Sequence, residues 1–157
     1  MPSNAAPHAR FQKLTPVLAV DAVEPCVAFW VDCLGFQQTM SVPGDDGRLV
    51  FASIEKDGIE LMYQTRASVL ADEAPESRAT RAQDLEGHAT TLFIEVEDLD
   101  AVERAVTHAP VVKARHETFY GTAEVYVREP GGTVVGFSMR VPASADATPL
   151  SAGGTGA

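Results

Sequence analysis

Glu60, Glu95 and Glu124 each fall in a strand-like run of this chain, where a carboxylate can supply negative charge to a bound cation. Five aromatic side chains, Phe51, Phe93, Phe119, Tyr120 and Tyr126, can stack on a flat guest. Each has a competing structural reading. The aromatics equally suit a core or an interface, because their facing is open at this stage. A solvated strand carboxylate is the preferred reading of Glu95 and Glu124, and for Glu60 it stands level with a site role.

Other chemistry-bearing residues are less promising. His8 lies in the chain start, His108 at a helix end where it can meet the helix dipole, and His116 in a loop, so structural or solvent roles are expected for them. Cys26 and Cys33 share one predicted helix. At that separation they cannot bridge, and they read as buried thiols in a reducing compartment. No GxSxG, HExxH, CxxC or phosphate-cradling glycine loop occurs. No catalytic residue and no cofactor is assigned.

Composition narrows the class of partner. A chain of 157 residues with 45% hydrophobic content can bury roughly two thirds of its unfolded surface and needs no staple. A formal charge of −10 argues against nucleic acid, which is bound through Lys and Arg, and favours a cation as any charge-steered ligand. The first residues lack the apolar stretch of a secretory signal, and no run reaches membrane-spanning length. A cytoplasmic protein with no membrane partner is expected.

The elements that must position these residues follow one plan, used twice. Strands are expected over 13–20, 37–42, 49–55 and 59–64, then over 90–95, 123–129 and 133–139, with a short run at 111–114. The first helix should begin at Asp21, where Asp21 and Glu24 have the spacing of a capping box. It should end at Gly35 in a left-handed cap, with Cys26, Phe29, Trp30 and Cys33 forming its apolar stripe. A second helix should cover 98–108. Asp57-Gly58 and the segment from Pro43 to Gly47 are hairpin signals. Residues 1–12 read as a flexible start, 13–141 as one domain, and 142–157 as a disordered tail. Within the domain, 13–64 and 88–141 are the two modules, and 65–87 is a polar, Ala-rich linker interrupted by Pro75.

The run Phe29-Trp30-Val31-Asp32-Cys33-Leu34-Gly35-Phe36 follows a strand ending in Val20-Asp21. It is matched later by Tyr120-Gly121 and Arg128-Glu129-Pro130-Gly131-Gly132. In these features the chain resembles the vicinal oxygen chelate superfamily, and within it the glyoxalase and bleomycin-resistance group, over about Leu14 to Met139. The resemblance implies an α+β fold of two βαβββ modules forming a curved mixed sheet around a cleft. It also implies metal ligands, in the family's enzymes, at positions that fall here near Leu14, at Glu60, near Thr91 and at Gly136. Of these only Glu60 could hold a metal, and His88 sits at an odd offset from Thr91, facing the other side of the sheet.

If Glu60 faces the concave side, as that family position does, alternation puts Met62 and Gln64 beside it and Ile59, Leu61 and Tyr63 under the helices. Val134, Gly136 and Ser138 then line the same side of the last strand, small enough to leave room for a guest. The expected ligand-binding set is Glu60, Met62, Gln64, Phe51, Phe93, Tyr120, Glu124, Tyr126 and Ser138, with no metal. What the resemblance implies is a small-molecule-binding protein of the bleomycin-resistance type, a homodimer that sequesters a cationic or aromatic guest. The linker would lie near the interface or the rim of the cleft. The alternatives are a metal-dependent lyase, isomerase or dioxygenase of the same superfamily, and an interaction module with no guest.

Overall fold

Both halves of the chain follow one order of elements. In the computed structural model, which describes residues 10–87 and 89–142, the first unit contains β1 (Val17–Val20), α1 (Glu24–Ala28), β2 (Gln37–Pro43), β3 (Leu49–Lys56) and β4 (Ile59–Thr65). Two further helices follow, α2 (Arg66–Asp72) and α3 (Arg78–Gly87). The second unit contains β5 (Thr91–Glu95), α4 (Leu99–Ala105), β6 (Val111–Glu117), β7 (Thr122–Arg128) and β8 (Val134–Arg140), and the division falls between Gly87 and His88. The sheets have orders β1-β4-β3-β2 and β5-β8-β7-β6, each with one parallel pair (β1 with β4, β5 with β8) and otherwise antiparallel. The expected α+β class and doubled βαβββ order are therefore present. His8, His88, most of the expected flexible start (1–9) and nearly all of the expected tail (143–157) lie outside the described residues.

In the first unit, alternation along each strand sets the core. Leu18 and Val20, Ala52 and Ile54, and Leu61 and Tyr63 are buried on the face that carries α1, together with Val23, Cys26, Phe29 and Trp30. Trp30 is wholly buried, and its Nε1 donates to the Tyr63 hydroxyl at 2.7 Å, so the indole keeps its polar atom satisfied inside an apolar layer. Asp57 and Gly58 both have positive φ, 51° and 79°, as a two-residue hairpin with this twist requires. Gly35 ends the helical segment at φ 73°. Lys56 Nζ donates to the Leu34 carbonyl beside it at 2.7 Å, placing a cation at the negative end of the helix.

Expectations for the first helix, the first strand and Cys33 are corrected in this unit. Asp21 does not cap α1, whose N-cap is Val23 with no side-chain bond; Asp21 Oδ1 instead accepts from Arg66 Nη1 at 2.7 Å. Glu24 does not reach back to the cap either, since its Oε1 accepts from Leu49 N–H at 2.6 Å. The first strand is shorter than 13–20, beginning only after Pro16, a residue with no N–H to give a ladder. Cys33 is exposed, not buried, because residues Phe29–Cys33 form a π turn; the wider turn moves position 33 off a stripe drawn with α-helical spacing. The 65–87 segment folds as α2 and α3, separated near Pro75, with Thr65 Oγ1 accepting from Ser68 N–H at 3.2 Å to cap α2.

In the second unit, Ala123, Val125, Val127, Val135 and Phe137 are buried with Leu99 and Val106 of the α4 segment. Asp98 Oδ1 caps α4 by accepting from Ala101 N–H at 2.9 Å. Arg115 Nη1 donates to Asp100 Oδ1 at 2.5 Å and to Glu103 Oε2 at 2.7 Å, tying β6 to the polar side of α4. Glu129 is buried because it holds the turn that follows it, accepting from Gly131 N–H at 2.9 Å and Thr133 N–H at 2.7 Å. The Glu129-Pro130-Gly131-Gly132 motif is thus a structural turn. Among the described residues no helix is long and apolar enough to cross a membrane.

Candidate ligand-binding site

The expected site residues fall on the sheet faces opposite those that pack against α1 and α4. On the first sheet, β3 and β4 pair Phe51 with Gln64, Ser53 with Met62 and Glu55 with Glu60, so Met62 and Gln64 share one side with Glu60, as alternation implies, and Phe51, whose facing the sequence left open, joins them. Met40 and Val42 of β2 and Val17 of β1 are on the same side by register, and all three are exposed. The polar members of this face are already engaged. Glu60 accepts from Ser53 Oγ at 2.8 Å and forms an ion pair with Lys13. Gln64 Nε2 donates to Ser68 Oγ at 3.1 Å and to Asp72 Oδ2 at 3.2 Å, which binds it to α2.

The second sheet holds a denser cluster. Glu124 of β7 is 1% exposed and accepts four hydroxyl bonds: from Tyr120 at 2.9 Å, Thr122 at 2.9 Å and Ser138 at 3.3 Å on Oε1, and from Tyr126 at 3.0 Å on Oε2. The reading of Glu124 as a solvated carboxylate is therefore corrected. Its partners come from its own strand, the turn before it and the neighbouring strand, and together they cover it. Glu95 is exposed.

These partners set the charge state. Burial pushes the Glu124 carboxyl upward, but the bonds from Thr122, Tyr120, Tyr126 and Ser138 outweigh it and hold the group below the ordinary carboxylate range. The same contacts act in reverse on the phenols. Tyr120 is raised, first by its bond to Glu124, and Tyr126 is raised by burial and then by its bond to Glu124. The cluster thus keeps one ionised carboxylate and two protonated tyrosines. His116, expected in a loop, lies in β6 opposite Glu124. Its Nε2 is 3.9 Å from Glu124 Oε2, its Nδ1 is 2.9 Å from the Ala114 carbonyl oxygen, and its ring is stacked with Tyr126 at 6.3 Å.

Gly136 explains how Tyr126 is seated. The two residues pair directly across β7 and β8, and a Cβ at Gly136 would lie 2.4 Å from Tyr126 Cε1, so the ring occupies the space a side chain would need. The room expected beside Gly136 is filled by this ring rather than left for a guest. Gly136→Ala should therefore displace Tyr126 and lower stability by about 1–3 kcal/mol, as overpacking does, measured by urea denaturation against wild type. Phe93 continues the row on β5, opposite Gly136, and is 53% exposed; Tyr120 is 55% exposed, with Phe119 edge-on to it at 5.1 Å.

Of the nine expected ligand residues, four (Tyr120, Glu124, Tyr126 and Ser138) join in one hydrogen-bonded cluster, and Phe93 shares their sheet face. Thr122, His116 and Lys13 were not anticipated. Thr122 follows from alternation, two residues before Glu124, whereas His116 depends on a β6 register shifted by irregularities that no sequence pattern marks.

The residues at the family's metal positions do not fit a metal centre. Leu14 is exposed and apolar, Thr91 offers only a hydroxyl, and the place of a side chain at Gly136 is taken by Tyr126. Glu60, the remaining donor, is paired with Lys13, and a catalytic divalent site takes about three protein ligands. Among the described residues no group of three or more His, Cys, Asp or Glu is placed to hold a metal ion.

Comparison with known proteins agrees with this fold. The model of the Glyoxalase/Bleomycin resistance protein/Dioxygenase superfamily matches residues 10–137. An uncharacterized protein of Mycobacterium bovis is 29% identical over 124 residues, covering 76% of this chain and 77% of that protein. The crystal structure of TioX from Micromonospora sp. ML1 superposes with a TM-score of 0.65 at 16% identity, covering 83% of this chain and 100% of that one. A bleomycin-binding protein from bleomycin-producing Streptomyces verticillus, complexed with copper(II)-bleomycin, superposes with a TM-score of 0.52 at 27% identity, covering 82% and 96%.

Proposed function

Because the chain belongs to the Glyoxalase/Bleomycin resistance protein/Dioxygenase superfamily, we propose that it is a binding protein that sequesters a cationic, partly aromatic small molecule without transforming it. The observation that carries this reading is Glu124. It is an ionised carboxylate covered by hydroxyl donors, with no lysine or arginine ion-paired to it among the described residues, bonded to the exposed Tyr120 and on the sheet face that also carries the exposed ring of Phe93. Such a group attracts a cation that aromatic faces can also hold. The donor set at the family's metal positions favours sequestration over metal-assisted catalysis, and the likeness to a protein that binds copper(II)-bleomycin supplies a concrete guest to try. On this reading the protein acts in the cytoplasm as a homodimer, with α2 and α3 near the interface.

Calorimetric titration with copper(II)-bleomycin tests the proposal. Saturable binding at a fixed guest-to-protein ratio is expected, weakening as salt rises, since a chain of net charge −10 attracts a cation over a distance that salt shortens. Heat that is absent, or that strengthens with salt, would contradict it. Light scattering at micromolar concentration should give the mass of a dimer, and a strictly monomeric mass would remove the second chain from the account.

A further inference from the structure

The two tyrosines beside Glu124 have a fixed polarity. A phenol carries one proton, and in both Tyr120 and Tyr126 that proton is directed at the Glu124 carboxylate, at 2.9 Å and 3.0 Å. Each oxygen is then left with lone pairs only, the Tyr120 oxygen also lying within reach of the Thr118 and Thr122 hydroxyls and the Tyr126 oxygen having no such neighbour among its named contacts. Glu124 is itself held ionised by Thr122 and Ser138 as well, so it has no proton to offer in exchange. Tyr126 cannot readily turn away, because its ring is packed on Gly136 and stacked with His116.

We propose that Glu124 is a positioning residue that locks Tyr120 and Tyr126 as hydrogen-bond acceptors, so that this face takes organic ammonium and other N–H-donating cations and rejects carboxylates. A guest ammonium meets two phenol oxygens with the Glu124 charge behind them, and Phe93 and Tyr120 offer exposed ring surface for its apolar part. A carboxylate meets the same two oxygens with no proton available and a like charge behind, which is the repulsive half of the selectivity. The inference rests on the reading of this protein as a small-molecule binder and specifies the chemistry that one face would accept.

Nuclear magnetic resonance of the full chain with 13C at the tyrosine ζ carbon tests it, using benzylammonium, benzyl alcohol and benzoate as probes. The chain has three tyrosines, and Tyr63, buried against Trp30, is an internal control. Benzylammonium should shift the Tyr120 and Tyr126 signals saturably and leave Tyr63 in place, with benzyl alcohol weaker and benzoate without effect. In Glu124→Gln the affinity for benzylammonium should fall by about tenfold or more, the loss expected when a charge-assisted contact is removed. Equal binding of benzoate, absence of shifts at Tyr120 and Tyr126, or unchanged affinity in a folded Glu124→Gln variant would overturn the proposal. Should that variant not fold, the ammonium-against-benzoate comparison in the wild-type protein decides alone. Ammonium selectivity without copper(II)-bleomycin binding would uphold this inference and remove that guest, whereas copper(II)-bleomycin binding without ammonium selectivity would do the reverse.

Discussion

Replacing Trp30 with alanine is expected to lower the free energy of unfolding by about 3–5 kcal/mol, the cost of deleting a large aromatic side chain from a packed core. Three features put Trp30 at the upper part of the range for this chain. It is 0% exposed, it packs edge-on against Phe29 and Phe36 with ring centroids 5.4 Å and 5.0 Å away, and its Nε1 satisfies the buried hydroxyl of Tyr63. Alanine would leave both a void and a less well-satisfied phenol. A loss of this size is a large fraction of the stability of an ordinary domain, so extensive unfolding at 37 °C is the expected phenotype. Because Trp30 is the single tryptophan, the comparison is made by far-ultraviolet circular dichroism in urea rather than by fluorescence. A folded variant within about 1 kcal/mol of wild type would show that the indole does not anchor the first unit.

The second large effect is pH-dependent. Glu124→Gln should destabilise the protein by about 1–3 kcal/mol at neutral pH, because an amide replaces one carboxylate oxygen with a group that cannot accept from the surrounding hydroxyls. The sign with pH follows from the direction of the shift. The Glu124 carboxyl is held below its ordinary value near 4.5 in the folded state, by hydroxyl bonds that outweigh burial. Its contribution is therefore present in full above the unfolded-state value and disappears as pH falls through the folded-state value. Denaturation curves should show wild type more stable than Glu124→Gln at pH 7, with the gap closing in acid. A gap independent of pH would mean that the residue acts by shape and not by charge.

The strand faces and turns of the first unit were readable in the chain before any coordinates, whereas the Glu124 cluster behind the second prediction was not. Strand alternation placed Glu60, Met62 and Gln64 on one face, and Leu61 and Tyr63 on the other, because a period of two leaves no freedom once a single residue's facing is fixed. The glycine at 35 and the Asp57-Gly58 turn were legible for a similar local reason, since a positive φ narrows the choice of residue. What escaped was set by distant partners. Glu124 looked like an ordinary solvated strand residue because nothing within its own run says that Ser138 from β8 and Tyr120 from the preceding turn will cover it. Lys13 was not matched to Glu60 because the pair spans most of the first unit in sequence. The π turn moved Cys33 to the surface although its spacing fitted an α-helical stripe, which shows that periodicity assumes a helix type before it reports a face.

Sequestration, the central claim, differs from catalysis in what becomes of the guest. Protein should be incubated with copper(II)-bleomycin until binding saturates, the complex weighed by native mass spectrometry, and the guest then released by denaturation and weighed again. The account predicts a complex of fixed stoichiometry and a guest recovered at its original mass, with no product accumulating over many equivalents. A guest of altered mass, or product formed in excess of the protein, would contradict it.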